Sequence, residues 1–386
     1  MLKTKRIILY VLLVSLWSCG PAYQELETDY FSVGIDEHGY VVSLLDRTGN
    51  KEYIPEGISA PLLSIRVEDS IIAPVAMIMD RKNQSILLDF PFSNIKAEIK
   101  YEIRSTHLNF KLANIEHVEL IDLVIWGPYP TSIDKIIGET VGVVRGESYA
   151  IGIQALNIKT LGGYPWKEND CMPQLDIFDG DDPSDLNEEG KRYVLYRVEA
   201  AKPDTFGSTL QAYCRNRSRD RIIENWGHER YEIPAYDDGG VIGSKIALFG
   251  CPVGQALDVI GNIEVAEGLP HPMVNGVWGK KSGEANAAYI ILAFGEEDVE
   301  KAIGYTKKAG LKYLYHPGPF ESWGHFTYNK QFPNGQDGLK ACVEKAEQDG
   351  IYVGLHTLSN FITTNDANVT PVPDKRLAKV GSSVIS

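Results

Sequence analysis

Long apolar runs are scarce in this sequence of 386 residues. The run near its start, Ile7–Trp17, has eleven residues, about half of the ~20 that a membrane-spanning helix needs. Cysteine is scarce too. Five are present, none as Cys-x-x-Cys, which excludes a zinc knuckle or a dithiol redox motif. Positive charge is in deficit, with 38 Lys+Arg against 52 Asp+Glu and a net charge of −14. That excludes DNA or RNA as the expected partner, because phosphate binding needs basic clusters. No His-x-His or Glu-x-x-His pair is present, and neither a metal nor a cofactor is expected. What remains is an ordinary globular balance, 44% hydrophobic and 23% charged, long enough for two or three domains.

The N-terminus reads as an address. Lys3, Lys5 and Arg6 precede the apolar run, which ends in Leu16-Trp17-Ser18-Cys19. This resembles a bacterial lipobox, although Trp17 stands where a small residue is usual. The resemblance implies cleavage before Cys19 and lipidation of its thiol. Several acyl chains at about 0.8 kcal/mol per buried methylene would anchor the protein stably. The expected location is the cell envelope, on the outer membrane of a Gram-negative bacterium. Residues 1–19 are then signal peptide and 20–29 a linker.

From Tyr30 the punctuation is that of strands and hairpins. Tyr30–Ile35 and Tyr40–Leu45 flank the turn Asp36-Glu37-His38-Gly39. In Ala97–Arg104, Ala97, Ile99, Tyr101 and Ile103 alternate with charged residues, so one face is wet. Strands at short spacing with no convincing helix predict an antiparallel β-sandwich as far as about Ala201; with a connecting segment, in which Pro252–Ile260 reads as a short helix, this domain is assigned to residues 30–268. The opening residues Phe31–Asp36 and Gly39–Asn50 resemble the large sandwich, of galactose-mutarotase type, at the front of several glycoside hydrolase families. Within this region Asp176–Glu189 is acidic. It fails the EF-hand pattern at Pro183 and reads as a solvated loop rather than a calcium site. Tyr164 and Trp166 read as packing. Arg215, Arg217, Arg219 and Arg221 form a basic patch, by default solvated, with contact to an anionic sugar as the lesser reading.

Pro270-His271-Pro272 marks a boundary, and residues 269–386 read as α/β. Gly276-Val277-Trp278 is expected to end a first strand. Asp298–Ala309 is a helix burying Val299, Ala302, Ile303 and Thr306, with Gly310 closing it. Leu311–Tyr315 is a strand. Leu339, Cys342, Val343 and Ala346 stripe a second helix, and Tyr352–Leu355 is the next strand. This is the rhythm of a (β/α)8 barrel.

Phe332-Pro333-Asn334-Gly335, Leu339 and Gly350–Leu355 resemble the barrel of the alpha-galactosidase clan of glycoside hydrolases. The fold expected is thus a multidomain β plus α/β chain, a sandwich followed by a partial (β/α)8 TIM barrel. The sequence departs from the clan at His316-Pro317-Gly318 and His356-Thr357-Leu358, where an acid or a tryptophan is usual. It also departs in length: 116 residues from His271 against about 250 for a full barrel. The clan's catalytic carboxylates come from later strands, so no hydrolase activity is expected of this chain alone.

Parallel strands collect their carboxyl ends on one rim. The candidate substrate-binding residues there are Trp278, His316, Trp323, His325, His356, Asn360 and Asp366. Indoles, together with Phe326, suit the apolar face of a sugar. Imidazole, amide and carboxylate suit its hydroxyls. Glu284 and Glu321 are the nearest acids, without the pairing that glycoside hydrolysis requires. The partners expected are a glycan and, through Cys19, a membrane. The alternatives are a non-catalytic surface glycan-binding protein and a polysaccharide lyase acting on uronate.

Replacing Cys19 by Ala is expected to abolish labelling by a radioactive fatty acid and to move the protein from the membrane to the soluble fraction. Unchanged labelling would contradict the lipid anchor.

Overall fold

The computed structural model describes residues 23–68, 70–138, 142–163, 200–225, 228–358, 362–377, 379–380 and 383–384. Cys19, Asn360, Tyr164, Trp166, Cys171 and the acidic segment 176–189 lie outside them. Most regular structure is antiparallel sheet. An eight-stranded sheet runs from Ile136–Gly138 through Tyr149–Ala155, Lys245–Pro252, Leu108–Ile115 and Lys96–Ile103 to Ala76–Asp80. A six-stranded sheet centres on Leu123–Thr131 and Gly207–Arg215. A five-stranded sheet contains Phe31–Asp36 and Tyr40–Asp46.

The three sheets share one core. Phe31 and Val33 come from the five-stranded sheet, Ile99 and Phe110 from the eight-stranded, and Val124, Trp126 and Leu210 from the six-stranded. Alternation explains which side chains enter. Ala97, Ile99 and Tyr101 are buried, while Lys100 is exposed and pairs with Glu98 at 2.6 Å on the wet face. Ile103, expected on the inner face, is 42% exposed, because the strand ends there beyond the core. Two polar groups carried into the core find partners there: Trp126 Nε1 donates to Ser244 Oγ at 2.9 Å, and Tyr129 Oη to the Leu62 carbonyl at 2.6 Å.

Two segments differ from expectation on this side. The stretch assigned to a linker contains a strand, Tyr23–Glu27, paired antiparallel to Phe31–Asp36. Only Leu26 among its five residues is buried, so its polar composition is that of an edge strand. Gly207–Arg215, whose pattern is mixed, is buried along its whole length. A strand covered on both faces loses alternation as a signal.

Helix α1, Ala256–Ala266, lies on the outer face of the eight-stranded sheet. Ala256, Val259 and Ile263 repeat at helical spacing and pack on Ala150, Ala247, Phe249 and Cys251. Gly152 makes room: a Cβ there would fall 2.4 Å from the Phe249 ring.

Beyond α1, three parallel strands stand in the order Tyr289–Ile291, Tyr313–His316, Tyr352–Leu355. Helices α2, Val299–Lys308, and α3, Gly335–Gln348, join them in sequence. Val299, Ala302 and Ile303 of α2 and Leu339, Cys342 and Ala346 of α3 form one core with Leu314 and Phe294. Gly310 and Gly350 adopt φ of +69° and +70°, the left-handed conformation that ends each helix. Val277–Trp278 is not the first of these strands. It pairs antiparallel with Met273–Val274 in a hairpin whose turn places Asn275 and Gly276 at positive φ. The tail also differs: Lys379–Val380 pairs with His228–Ile233, away from the parallel strands.

Ser244→Ala is expected to strand the buried Trp126 N–H and to lower stability by about 1–3 kcal/mol, read as a shift in the urea midpoint with an unchanged slope.

Candidate functional site

The second parallel strand, Tyr-Leu-Tyr-His, alternates. Leu314 and His316 face α2 and α3 and are buried, while Tyr313 and Tyr315 face the other side and are half-buried. At the carboxyl end this alternation separates the two histidines that follow from adjacent strands. His316 is 1% exposed. Its Nε2 donates to the Phe294 carbonyl at 2.9 Å, and its Nδ1 accepts the Gly318 N–H at 3.0 Å. Phe294 and Phe332 pack their rings against it. Burial lowers its pKa, and the bond to Phe294 offsets only part of that effect. Both nitrogens are therefore engaged in a neutral ring, and His316 is a structural residue rather than a hydroxyl ligand.

His356 follows the third strand and is half-buried. Tyr315 reaches it across the exposed face, with Oη 2.7 Å from Nδ1. The Trp323 indole stands edge-on to the same imidazole, ring centroids 6.0 Å apart. Trp323 is placed by a two-point clasp between the loops that follow the second and third strands. Its N–H donates to Thr363 Oγ1 at 3.0 Å, and the Thr363 N–H donates to the Trp323 carbonyl at 3.1 Å.

Asp366 completes the clasp. It is 1% exposed and accepts the His325 N–H at 2.7 Å, His325 Nδ1–H at 2.8 Å, the Asn368 N–H at 2.9 Å and Ser322 Oγ–H at 3.3 Å. Burial alone would raise its pKa. The donors from His325 and Asn368 outweigh that and hold the carboxyl well below its usual range. Gly324 permits the approach: its φ is +122°, and a Cβ would meet the Asp366 carboxyl. The His325 side chain is 57% exposed. With Nδ1 tied to Asp366, it presents Nε2 outward.

The structure thus brings Trp323, His325, His356 and Asp366 together through two loops. Trp278 packs elsewhere. It is buried at 6% exposure, stacks on His271 at 4.8 Å, and lies over Gly261 of α1, so it offers no open face to a sugar. Phe326 joins Phe320 in the loop's own aromatic cluster, centroids 5.2 Å apart. Glu284 is at the opposite end of the sheet. Its carboxylate accepts from Tyr313 Oη at 2.7 Å, a bond that raises the Tyr313 pKa. Sequence reasoning missed Tyr315; the two-residue alternation of its strand was the available signal.

No family model matches the sequence, and no curated protein does. Among solved structures, the GH36 alpha-galactosidase AgaA from Geobacillus stearothermophilus is similar at a TM-score of 0.38 and 11% identity, over 89% of this chain and 57% of that one. The alpha-galactosidase from Lactobacillus brevis is similar at a TM-score of 0.34 and 8% identity, over 89% and 56%. The GH31 dextranase FjDex31A of Flavobacterium johnsoniae, complexed with glucose, scores 0.23 at 11% identity over 87% and 38%. The chain spans little more than half the length of the first two. Scores of this size carry no weight for activity, and the chemistry rests on the geometry above.

Asp366→Ala is expected to leave its buried donors unpaired, to cost roughly 1–3 kcal/mol, and to expose residues 317–334 to limited proteolysis. The wild type gives the matching pH dependence. A carboxyl whose folded pKa is depressed stabilises fully above its unfolded value near ~3.9, and that stability is lost as pH falls towards the folded value. Protease resistance of this loop is therefore expected to hold at neutral pH and to decline below about pH 4.

Proposed function

We propose that this chain is a lipid-anchored cell-envelope protein of glycan degradation. In this reading it holds saccharide at the rim formed by Trp323, His325 and His356 and does not cleave glycosidic bonds by itself. One observation carries the reading: a half-buried indole edge-on to the His356 imidazole, with His325 two residues further along the same loop and each imidazole tied through Nδ1 to a protein oxygen. An aromatic face covers the C–H surface of a pyranose. The two Nε2 atoms meet hydroxyls at its edge as donor or acceptor, according to tautomer.

Hydrolysis would ask for two carboxyl groups, one of them protonated as the acid. Asp366 is buried, held ionised and fully engaged. Glu284 sits on Tyr313 at the far end of the sheet. Glu321 is left on the loop without either as a partner. The three parallel strands and their two helices are read here as the opening of a (β/α)8 barrel of glycoside-hydrolase type. The β-α order and the Phe332-Pro333-Asn334-Gly335 turn support that reading. Residues 3–19 support the anchor and the outer-membrane address.

The test is binding of neutral oligosaccharides to the purified chain, followed by indole fluorescence, alongside a reducing-end assay. Saturable binding without new reducing ends is expected, and Trp323→Ala should weaken it at least tenfold. Turnover by the wild type, or affinity unchanged in Trp323→Ala, would refute the proposal.

A further inference from the structure

Helix α1 covers a buried charge group on the outer face of the eight-stranded sheet. Leu108 and Phe110 of the strand Leu108–Ile115 enter the shared core. Alternation therefore turns Asn109, and His107 just before the strand, to the opposite face. His107 is 1% exposed and Asn109 2%. Glu267, at the end of α1, reaches the same place with a side chain 6% exposed. Asn109 Nδ2 donates to one of its oxygens at 2.6 Å, and Lys245 Nζ, from the paired strand, donates to the other.

The imidazole is the odd member of this group. Its Nδ1 lies 3.0 Å from Thr106 Oγ1. Its Nε2 is buried and has no hydrogen-bond partner among the described residues. Nε2 stands 3.9 Å from Glu267 Oε1, too far for an N–H···O bond. Glu102 and Arg104 also face the ring, but they pair with each other at 3.0 Å. Glu264, one turn earlier on α1, is taken by His271 and Lys280. Lys111, directly opposite Lys245, is exposed. One carboxylate and one ammonium, Glu267 and Lys245, thus balance beneath α1 while the ring is neutral.

A proton on His107 would break that balance. Glu267 would face two cations, and the surplus positive charge would be buried, which is costly. Burial accordingly lowers the His107 pKa, and the attraction of Glu267 offsets only part of that effect. We infer that α1 is an acid-sensitive latch, docked on the sheet while His107 is neutral and loosened when that ring must carry a proton. An opened chain takes the proton near pH ~6.5, before the closed structure does. Docking is therefore at full strength above that pH and weakens as pH falls below it. The latch does not depend on the rim.

Hydrogen exchange of the full chain, followed by mass spectrometry at about pH 7.5 and about pH 5 and corrected for intrinsic exchange, tests the latch. Amides of residues 256–268 are expected to exchange severalfold faster at the lower pH in the wild type. His107→Gln should remove that acceleration, because its amide takes no proton in this range. Lys245→Gln should reverse it. With the ammonium gone, protonated His107 becomes the counter-ion of Glu267, and α1 is held better in acid than at neutral pH. Circular dichroism checks that each variant is folded, and Lys245→Gln decides the matter should His107→Gln not fold. Burial also lowers the His316 pKa, but that effect falls on the parallel strands and their helices and is common to all three proteins. The proposal falls if residues 256–268 of the wild type exchange alike at both pH values, if His107→Gln keeps the acceleration, or if Lys245→Gln keeps the wild-type direction.

Discussion

The carboxylate of Glu267 is the point on which the arrangement of this protein turns. It lies at the end of α1 with a side chain 6% exposed. It is gripped by the Lys245 ammonium and by Asn109 Nδ2 at 2.6 Å, both from strands of the eight-stranded sheet. Burial alone would raise its pKa; the bonds from Lys245 and Asn109 reverse that and keep it ionised. One turn earlier Glu264, also buried, takes His271 Nδ1 at 2.9 Å and Lys280 Nζ at 2.5 Å from the segment that follows. The two carboxylates make α1 a bracket between the eight-stranded sheet and the chain leading to the parallel strands. Such pairs are weak sources of net stability, but breaking one leaves a buried charge uncompensated, at about 3–5 kcal/mol. They act as locators, and an apolar patch could have held the helix without fixing its register.

The rim shows the same logic at a smaller scale. Three histidines of one chemical type have three fates, set by which face of the sheet each meets. His316 faces the helices and is sealed with both nitrogens used. His356 faces the open side and is steadied by Tyr315. His325 hangs from a loop with one nitrogen pinned by Asp366 and the other outward. The carboxylate that steadies the exposed imidazole also ties the two loops together. The cluster is closely packed where it is buried and polar where it is open.

The helices were the most legible part of the fold. The stripe Val299, Ala302, Ile303, Thr306 is the buried face of α2, and Leu339, Cys342, Ala346 that of α3. Periodicity reports the side on which a helix meets its core, whatever that core is. Alternation served equally well at Lys96–Ile103. It failed where a strand is covered on both faces, as at Gly207–Arg215, and where an edge strand buries a single residue, as at Tyr23–Glu27. Val277–Trp278 misled for another reason. Two apolar residues after Asn-Gly fit a parallel strand and a hairpin alike, and only the partner strand decides between them.

The sequence by itself determined the local order of strands and helices, the acidic surface, and the supply of aromatic and imidazole groups near residues 313–366. These follow from spacing along the chain, because each element's buried face is written at intervals of two or of three to four residues. Tertiary structure alone decided which of those groups meet. His325 finds Asp366 across 41 residues, and Asn109 meets Glu267 at the end of α1. Trp278 turns inward to α1, and Glu284 lands at the wrong end of the sheet for a rim. Contacts of this kind depend on strand pairing and loop closure between distant segments, and no periodicity in the chain encodes the partner.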